Sequence, residues 1–192
     1  NSAGVLIEDD VLLTGDNSLR VTGGVLTRGA HTLQDRQTAM VQFLAPDTNA
    51  AATIQLVSGS QAFGIDISNG EIKTSGANSQ TLIDAGNFKA KKWYVAMLNV
   101  DGAHSGIHVW ERDFSCLKSD GTTSYCSETC INASGSTVTC GNPTNNINNF
   151  TGDATISVSA GEDWHFETTV SAGDLWLDEY SEGKVYSFTQ TY

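Results

Sequence analysis

Apolar residues recur at every second position of this chain, and that period limits what it can fold into more than any other feature. In the stretch from Gln37 to Ala45, the residues Ala39, Val41, Phe43 and Ala45 share one parity. Phe63, Ile65 and Ile67 alternate with Gly64, Asp66 and Ser68, and Ile107 and Val109 alternate with His108, Trp110 and Arg112. Ile156 with Val158, and Trp164 with Phe166 and Val170, continue the pattern. Side chains change face at each step of an extended strand, so alternation marks strands with one buried and one wetted face, as in antiparallel sheets. Turn chemistry separates these runs. Asn69-Gly70 divides Phe63–Ser68 from Glu71–Ser75, and Asp101-Gly102 opens the turn between Trp93–Val100 and Gly106–Asp113. Nineteen glycines and only two prolines suit this punctuation. Such spacing predicts an all-β antiparallel sandwich of about a dozen strands. No segment has convincing helical periodicity, and Thr81–Ala90 is the one place where a short helical turn fits. There is no internal repeat, and 192 residues is the size of one sandwich, so residues 1–192 read as a single domain.

One segment breaks the pattern. Cys116, Cys126, Cys130 and Cys140 are the only cysteines and fall in a tract dominated by Ser, Thr, Asn and Gly. Their spacing lacks the paired short knuckles of zinc sites, and the nearest histidine, His108, lies on an upstream strand. Two disulfides stapling a surface loop over residues 115–149 is the favoured reading, with zinc the alternative and all three pairings open. Cys126-Ser-Glu-Thr-Cys130 is expected at the tip of that insertion, with Cys116 and Cys140 at its base. Asn132-Ala-Ser and Asn149-Phe-Thr are sequons, and therefore candidate glycosylation sites on the same loop.

The charge narrows the partners. Twenty-two acidic against ten basic side chains give a formal charge of -12, the wrong sign for a phosphate backbone or an anionic bilayer surface. No apolar run approaches the length of a membrane span. The first residue, Asn1, is not Met, as expected if a secretion signal has been removed. Together with the cysteines, this composition predicts an extracellular protein, secreted or on a cell surface.

Parity also nominates residues that face outward. If Ile107 and Val109 point into the core, then His108, Trp110 and Arg112 point away from it on one strand. Gln42, Gln55 and Asp66 are off-phase from their apolar neighbours, as are His165 and Glu167 from Trp164 and Phe166. Sugars are gripped by flat aromatic faces that cover their C–H surface, with amides, carboxylates or Arg meeting the hydroxyls. These eight residues are thus the candidate glycan-binding set. The competing reading has the cysteine loop folding over Trp110 and burying it. Trp93 and Trp164 are in phase with apolar neighbours and are expected in the core, whereas Trp176, between Leu175 and Leu177, has no assignable face.

Three segments in order carry a resemblance. They are Asp16-Asn-Ser-Leu-Arg-Val-Thr-Gly-Gly-Val-Leu-Thr, then Lys92-Trp-Tyr-Val-Ala-Met-Leu-Asn-Val-Asp-Gly followed by Gly106-Ile-His-Val-Trp-Glu, and last Gly173-Asp-Leu-Trp-Leu-Asp-Glu-Tyr. Together they resemble the laminin-G-like, concanavalin A-like jelly rolls. The ending through Ser-Glu-Gly-Lys-Val-Tyr-Ser is also similar to modules of bacterial surface proteins with tyrosine–aspartate repeats. The resemblance implies a jelly-roll sandwich, and it implies a calcium ion tying the first and last strands together. Glu8, Asp9 and Asp178 are the matching carboxylates. It does not fix a function, because this superfamily hosts lectins, glycosidases, lyases and spacers.

An enzyme on this scaffold would need a recognisable constellation. The closest approach to a laminarinase-type carboxylate strand is Asp178-Glu-Tyr-Ser-Glu182, in the wrong order, although Asp178 and Glu182 share parity. Lyase-type Arg-x-Glu-x-Arg and Gln-x-His strands, a Gly-x-Ser-x-Gly elbow and a phosphate-cradling glycine loop are missing. No catalytic residue is nominated, and catalysis is the less favoured reading. The sequence therefore predicts a non-catalytic carbohydrate-binding or adhesion module. The first alternative is a structural subunit of an extracellular filament or matrix, in which edge strands from residues 1–14 or 184–192 pair with neighbouring chains. The second is a polysaccharide-cleaving lyase or hydrolase.

Overall fold

The computed structural model describes residues 4–8, 18–28, 33–76, 79–111, 130–131, 137–138 and 151–184. Among these, thirteen strands run in the order β1 (Val5–Glu8), β2 (Ser18–Thr27), β3 (Gln37–Leu44), β4 (Ala51–Ser58), β5 (Gln61–Ser68), β6 (Glu71–Thr74), β7 (Thr81–Ile83), β8 (Trp93–Val100), β9 (Ser105–Glu111), β10 (Cys130–Ile131), β11 (Thr137–Val138), β12 (Thr151–Ile156) and β13 (His165–Lys184). A single 3₁₀ turn at Gly102–His104 is the one helical element among the described residues. Thr81–Ala90 supplies the short strand β7 and then a single turn, in which the Asn87 and Phe88 N–H groups both donate to the Asp84 carbonyl at 2.9 Å. Every strand pair is antiparallel, so the all-β antiparallel expectation holds.

Eleven strands form one continuous sheet, ordered β12-β9-β8-β3-β13-β4-β5-β6-β7, with β2 and then β1 branching from β13. The branch is possible because β13 is twenty residues long and serves two neighbours in turn. Its first part pairs with β4 over His165–Ala172, and its second with β3 over Trp176–Lys184. Strand β2 follows the opposite edge of β13 across the change. At that change Ser171, Ala172 and Gly173 of β13 stand opposite Gly23 of β2 alone, so the strand bends and the sheet folds over. Gly173 has φ 69°, and Gly23 and Gly24 have φ 60° and 123°, values that a side chain disfavours. The far edges of the folded sheet come together where Gly152 of β12 meets the Leu82 backbone of β7.

The inward faces of the two half-sheets share one core. Ala39, Val41 and Phe43, then Phe63, Ile65 and Ile67, then Ile107 and Val109 all lie in it, on the faces that their alternation predicts. Trp164 is fully buried there, edge-on to Phe63 with ring centroids 5.2 Å apart. Trp93 departs from expectation. It is buried, but with Leu44 and Trp176 in a separate small cluster. Its partner Leu44 and that residue's partner Trp176 lie on the face opposite Phe43, Tyr94 and Leu177, because parity is counted from the core contacts of Tyr94 and not from the apolar neighbours Val95 and Met97. The same register settles Trp176, which packs outward beneath the Arg20 guanidinium at 5.2 Å.

The Asn69-Gly70 turn forms as its residues demand, joining β5 to β6 across Ser68 and Glu71, with φ 53° and 69°. Of the insertion, β10 and β11 are a two-stranded ladder pairing Cys130 with Val138. Cys116, Cys126, Cys140, Asn132 and Asn149 lie outside the described residues.

Candidate functional site

The outward faces decide which nominated residues meet. On the half-sheet made by β3, β8, β9 and β12, the outward positions of β9 are Gly106, His108 and Trp110. Cross-strand register puts Met97 and Asp153 on either side of His108, and Asn99 and Thr155 on either side of Gly106. Gly106 carries no side chain between them, so the face is notched there. The resulting hollow, about 270 Å³, is lined by Met97, Asn99, His108, Asp153 and Thr155 over the Gly106 floor. The notch is not imposed by the backbone: a Cβ built on Gly106 would come no closer than 3.4 Å to the nearest atom, the Ala154 carbonyl oxygen.

The polar chemistry of the hollow centres on one cross-strand pair. His108 Nδ1 meets an Asp153 carboxylate oxygen, with the two side chains 29% and 66% exposed. Burial pulls the His108 imidazole below its ordinary value of 6.5, so the neutral form prevails near neutrality. A neutral imidazole that donates from Nδ1 to a carboxylate has an acceptor at Nε2. Trp110 continues the row. It is half-buried, its ring centroid lies 4.9 Å from that of His108, and the two planes are tilted by 44°. On the next strand over, the Thr38 hydroxyl bonds the Asn99 side-chain oxygen at 2.8 Å. The arrangement offers an apolar ring face beside a set of hydrogen-bond acceptors.

Seven of the eight nominated binding residues are described, and they divide between two faces. His108 and Trp110 form the cluster just described. Gln42 lies on the same outward face but is buried, and its amide bonds Glu179. Gln55, Asp66, His165 and Glu167 lie on the outward face of the other half-sheet, where Gln55 pairs with Glu167. Their register neighbours include Thr27, Thr53, Val57 and Gly64, so among the described residues no tryptophan, tyrosine or phenylalanine pairs with them. Arg112 is outside the described residues. Asp153, Asn99, Met97 and the Gly106 notch escaped the sequence reading, since β12 joins β9 from about forty residues downstream and nothing local announces that pairing.

The carboxylates take other places. Asp178 pairs with Gln42, and Ser181 with Met40, so Glu179 and Tyr180 stand opposite Val41 alone. Glu179 there has φ 45°. This extra residue reverses the parity, leaving Asp178 outward while Glu182, opposite the core residue Ala39, turns inward. The shared face expected of Asp178 and Glu182 is therefore absent, and Glu182 is engaged by the Tyr180 hydroxyl and by Arg28 at 3.5 Å. Glu182 and burial hold the Tyr180 phenol far above its ordinary range. The backbone of Glu8 pairs with Ser18 on β2, which precedes the Leu19–Leu177 pair, so Glu8 and Asp178 sit one strand either side of the same row. Asp9 is outside the described residues, and among the described residues no group of three or more His, Cys, Asp or Glu is placed to hold a metal ion. A second, larger cleft of about 520 Å³ opens beside the bulge. Its lining mixes the apolar Leu19, Leu26, Val41, Phe166 and Leu177 with the polar Ser18, Thr27, Arg28, Asp178, Glu179 and Tyr180.

No family model and no curated protein matches this sequence. Among solved structures, a legume lectin-like domain from Entamoeba histolytica is similar at 8% identity and TM-score 0.48, covering 95% of this chain and 91% of that one. A galectin from Caenorhabditis elegans is similar at 10% identity and TM-score 0.35, covering 79% and 95%. No residue role is taken from either.

Proposed function

We propose that this chain is a non-catalytic carbohydrate-binding module of a secreted or cell-surface protein, built on a concanavalin A-like jelly roll, and that it takes glycan on the outward face of β8, β9 and β12. One observation carries the reading: the half-buried Trp110 ring stands against His108, which together with Asp153 lines the open Gly106 notch. An aromatic face covers sugar C–H groups while clustered acceptors and amides meet the hydroxyls, and the notch gives a ring edge somewhere to enter. The alternative carboxylate chemistry loses its geometric basis at the Glu179–Tyr180 bulge.

A glycan array, followed by titration calorimetry on any ligand found, tests this. Wild-type protein should retain at least one glycan. Trp110→Ala should weaken it by about tenfold to a hundredfold, the scale of one stacked ring. Gly106→Leu, which fills the notch without a backbone clash, should do likewise with an unchanged melting temperature. A wild-type protein that retains nothing on the array sinks the carbohydrate reading.

A further inference from the structure

The notch also constrains the charge of what it takes, an inference that rests on the carbohydrate reading above. Among the described residues lining it, Asp153 is the one carboxylate, and there is no Lys or Arg. Met97 and Asn99 face it from β8, Thr155 from β12, and Gly106 from the strand of His108 itself, on which Trp110 packs against the far side of the His108 ring. Glu111 on that strand points inward, and His104 lies exposed in the preceding turn. Arg112 lies outside the described residues.

An anionic ring in this hollow would meet the Asp153 carboxylate with no cation among the described lining residues to compensate it. Like charges facing each other across a site oppose binding, and stripping water from an unpaired carboxylate costs more. The net charge of -12 adds repulsion at longer range. Hydroxyl groups, by contrast, donate readily to the two acceptors that stand side by side, Asp153 and the free nitrogen of a neutral His108.

We propose that the notch selects an uncharged sugar, with adjacent hydroxyls donating to the Asp153 carboxylate and to His108 Nε2, and that it excludes uronic acid and sulfated residues. The pH dependence follows with a definite sign. Protonation converts Nε2 from acceptor to donor, so the hydroxyl loses its partner as pH falls.

The experiment is calorimetric titration of wild-type protein with neutral gluco-, galacto- and manno-oligosaccharides and with the matching uronic acid oligomers, at about pH 7.5 and about pH 5. Expected is binding of a neutral oligomer at the higher pH, about tenfold or more weaker for its uronic acid counterpart. That binding should fall on acidification, and whatever binding His108→Gln keeps, with a neutral side chain in place of the imidazole, should not change with pH. Equal binding of the uronic acid form, or a neutral-sugar affinity that acidification leaves unchanged in wild type, overturns this inference while leaving the carbohydrate reading intact. Failure to bind any member at either pH counts against the carbohydrate reading itself.

Discussion

Lys92 and Glu111 show how a single side-chain pair can govern a region of this protein. Both are almost completely buried, and Lys92 Nζ contacts Glu111 Oε1. Glu111 sits opposite Tyr94 on the inward face, at the end of the strand that carries His108 and Trp110. Charges taken out of water roughly break even when they meet, but removing one partner leaves the other's desolvation uncompensated. Glu111→Ala should therefore destabilise by about 3–5 kcal/mol, read by urea unfolding, whereas Lys92→Met with Glu111→Leu should recover most of that loss. A double variant no more stable than Glu111→Ala would show that the pair is not the reason. Sequence alternation placed Glu111 in phase with Ile107 and Val109, so its inward direction was legible. Its burial was not, since a lone glutamate in an apolar register reads equally well as the frayed end of a strand.

At the level of elements, β13 shows where parity counting works and where it stops. From Trp164 to Val170 burial alternates at every residue, and the sequence follows it except at Thr168, a polar side chain fully buried on the core face. Two irregularities then intervene, at Ser171–Gly173 and at Glu179–Tyr180, and beyond each the phase is set by the partner strand. For this reason Trp176 had no readable face, and Asp178 and Glu182 part company despite their even spacing. The first irregularity is the fold-over point, and glycine is required there: at Gly173 φ is 69° and an added Cβ would lie 3.2 Å from Ala50 Cα. Gly173→Ala should cost about 1–2 kcal/mol or more. Gly183→Ala, later in the same strand with nothing within 4 Å of the new methyl group, should be neutral or stabilise by up to about 1 kcal/mol. Equal effects of the two substitutions in thermal melts would mean that the bend does not depend on Gly173.

For the whole molecule, continuity of the sheet predicts cooperativity. Because β13 and β2 run through both half-sheets and the inward faces share one core, neither half can lose its partner strand alone. Calorimetry should give a single transition with equal calorimetric and van't Hoff enthalpies, and two resolved transitions would contradict a shared core. The sequence by itself determined the antiparallel β character, the core faces of β3, β5 and β9, the Asn69-Gly70 turn, and the outward direction of His108 and Trp110. All of these rest on the two-residue repeat of an extended chain or on the φ preferences of one or two residues, which are local properties. Tertiary structure alone decided that β12 lies beside β9, that Asp153 reaches His108, that Gly106 opens a hollow between Asn99 and Thr155, and that His165 and Glu167 belong to a different face. Those outcomes depend on which distant strands pair and in what register, and that choice is made by closing long loops around a common core, for which no residue carries a local signal.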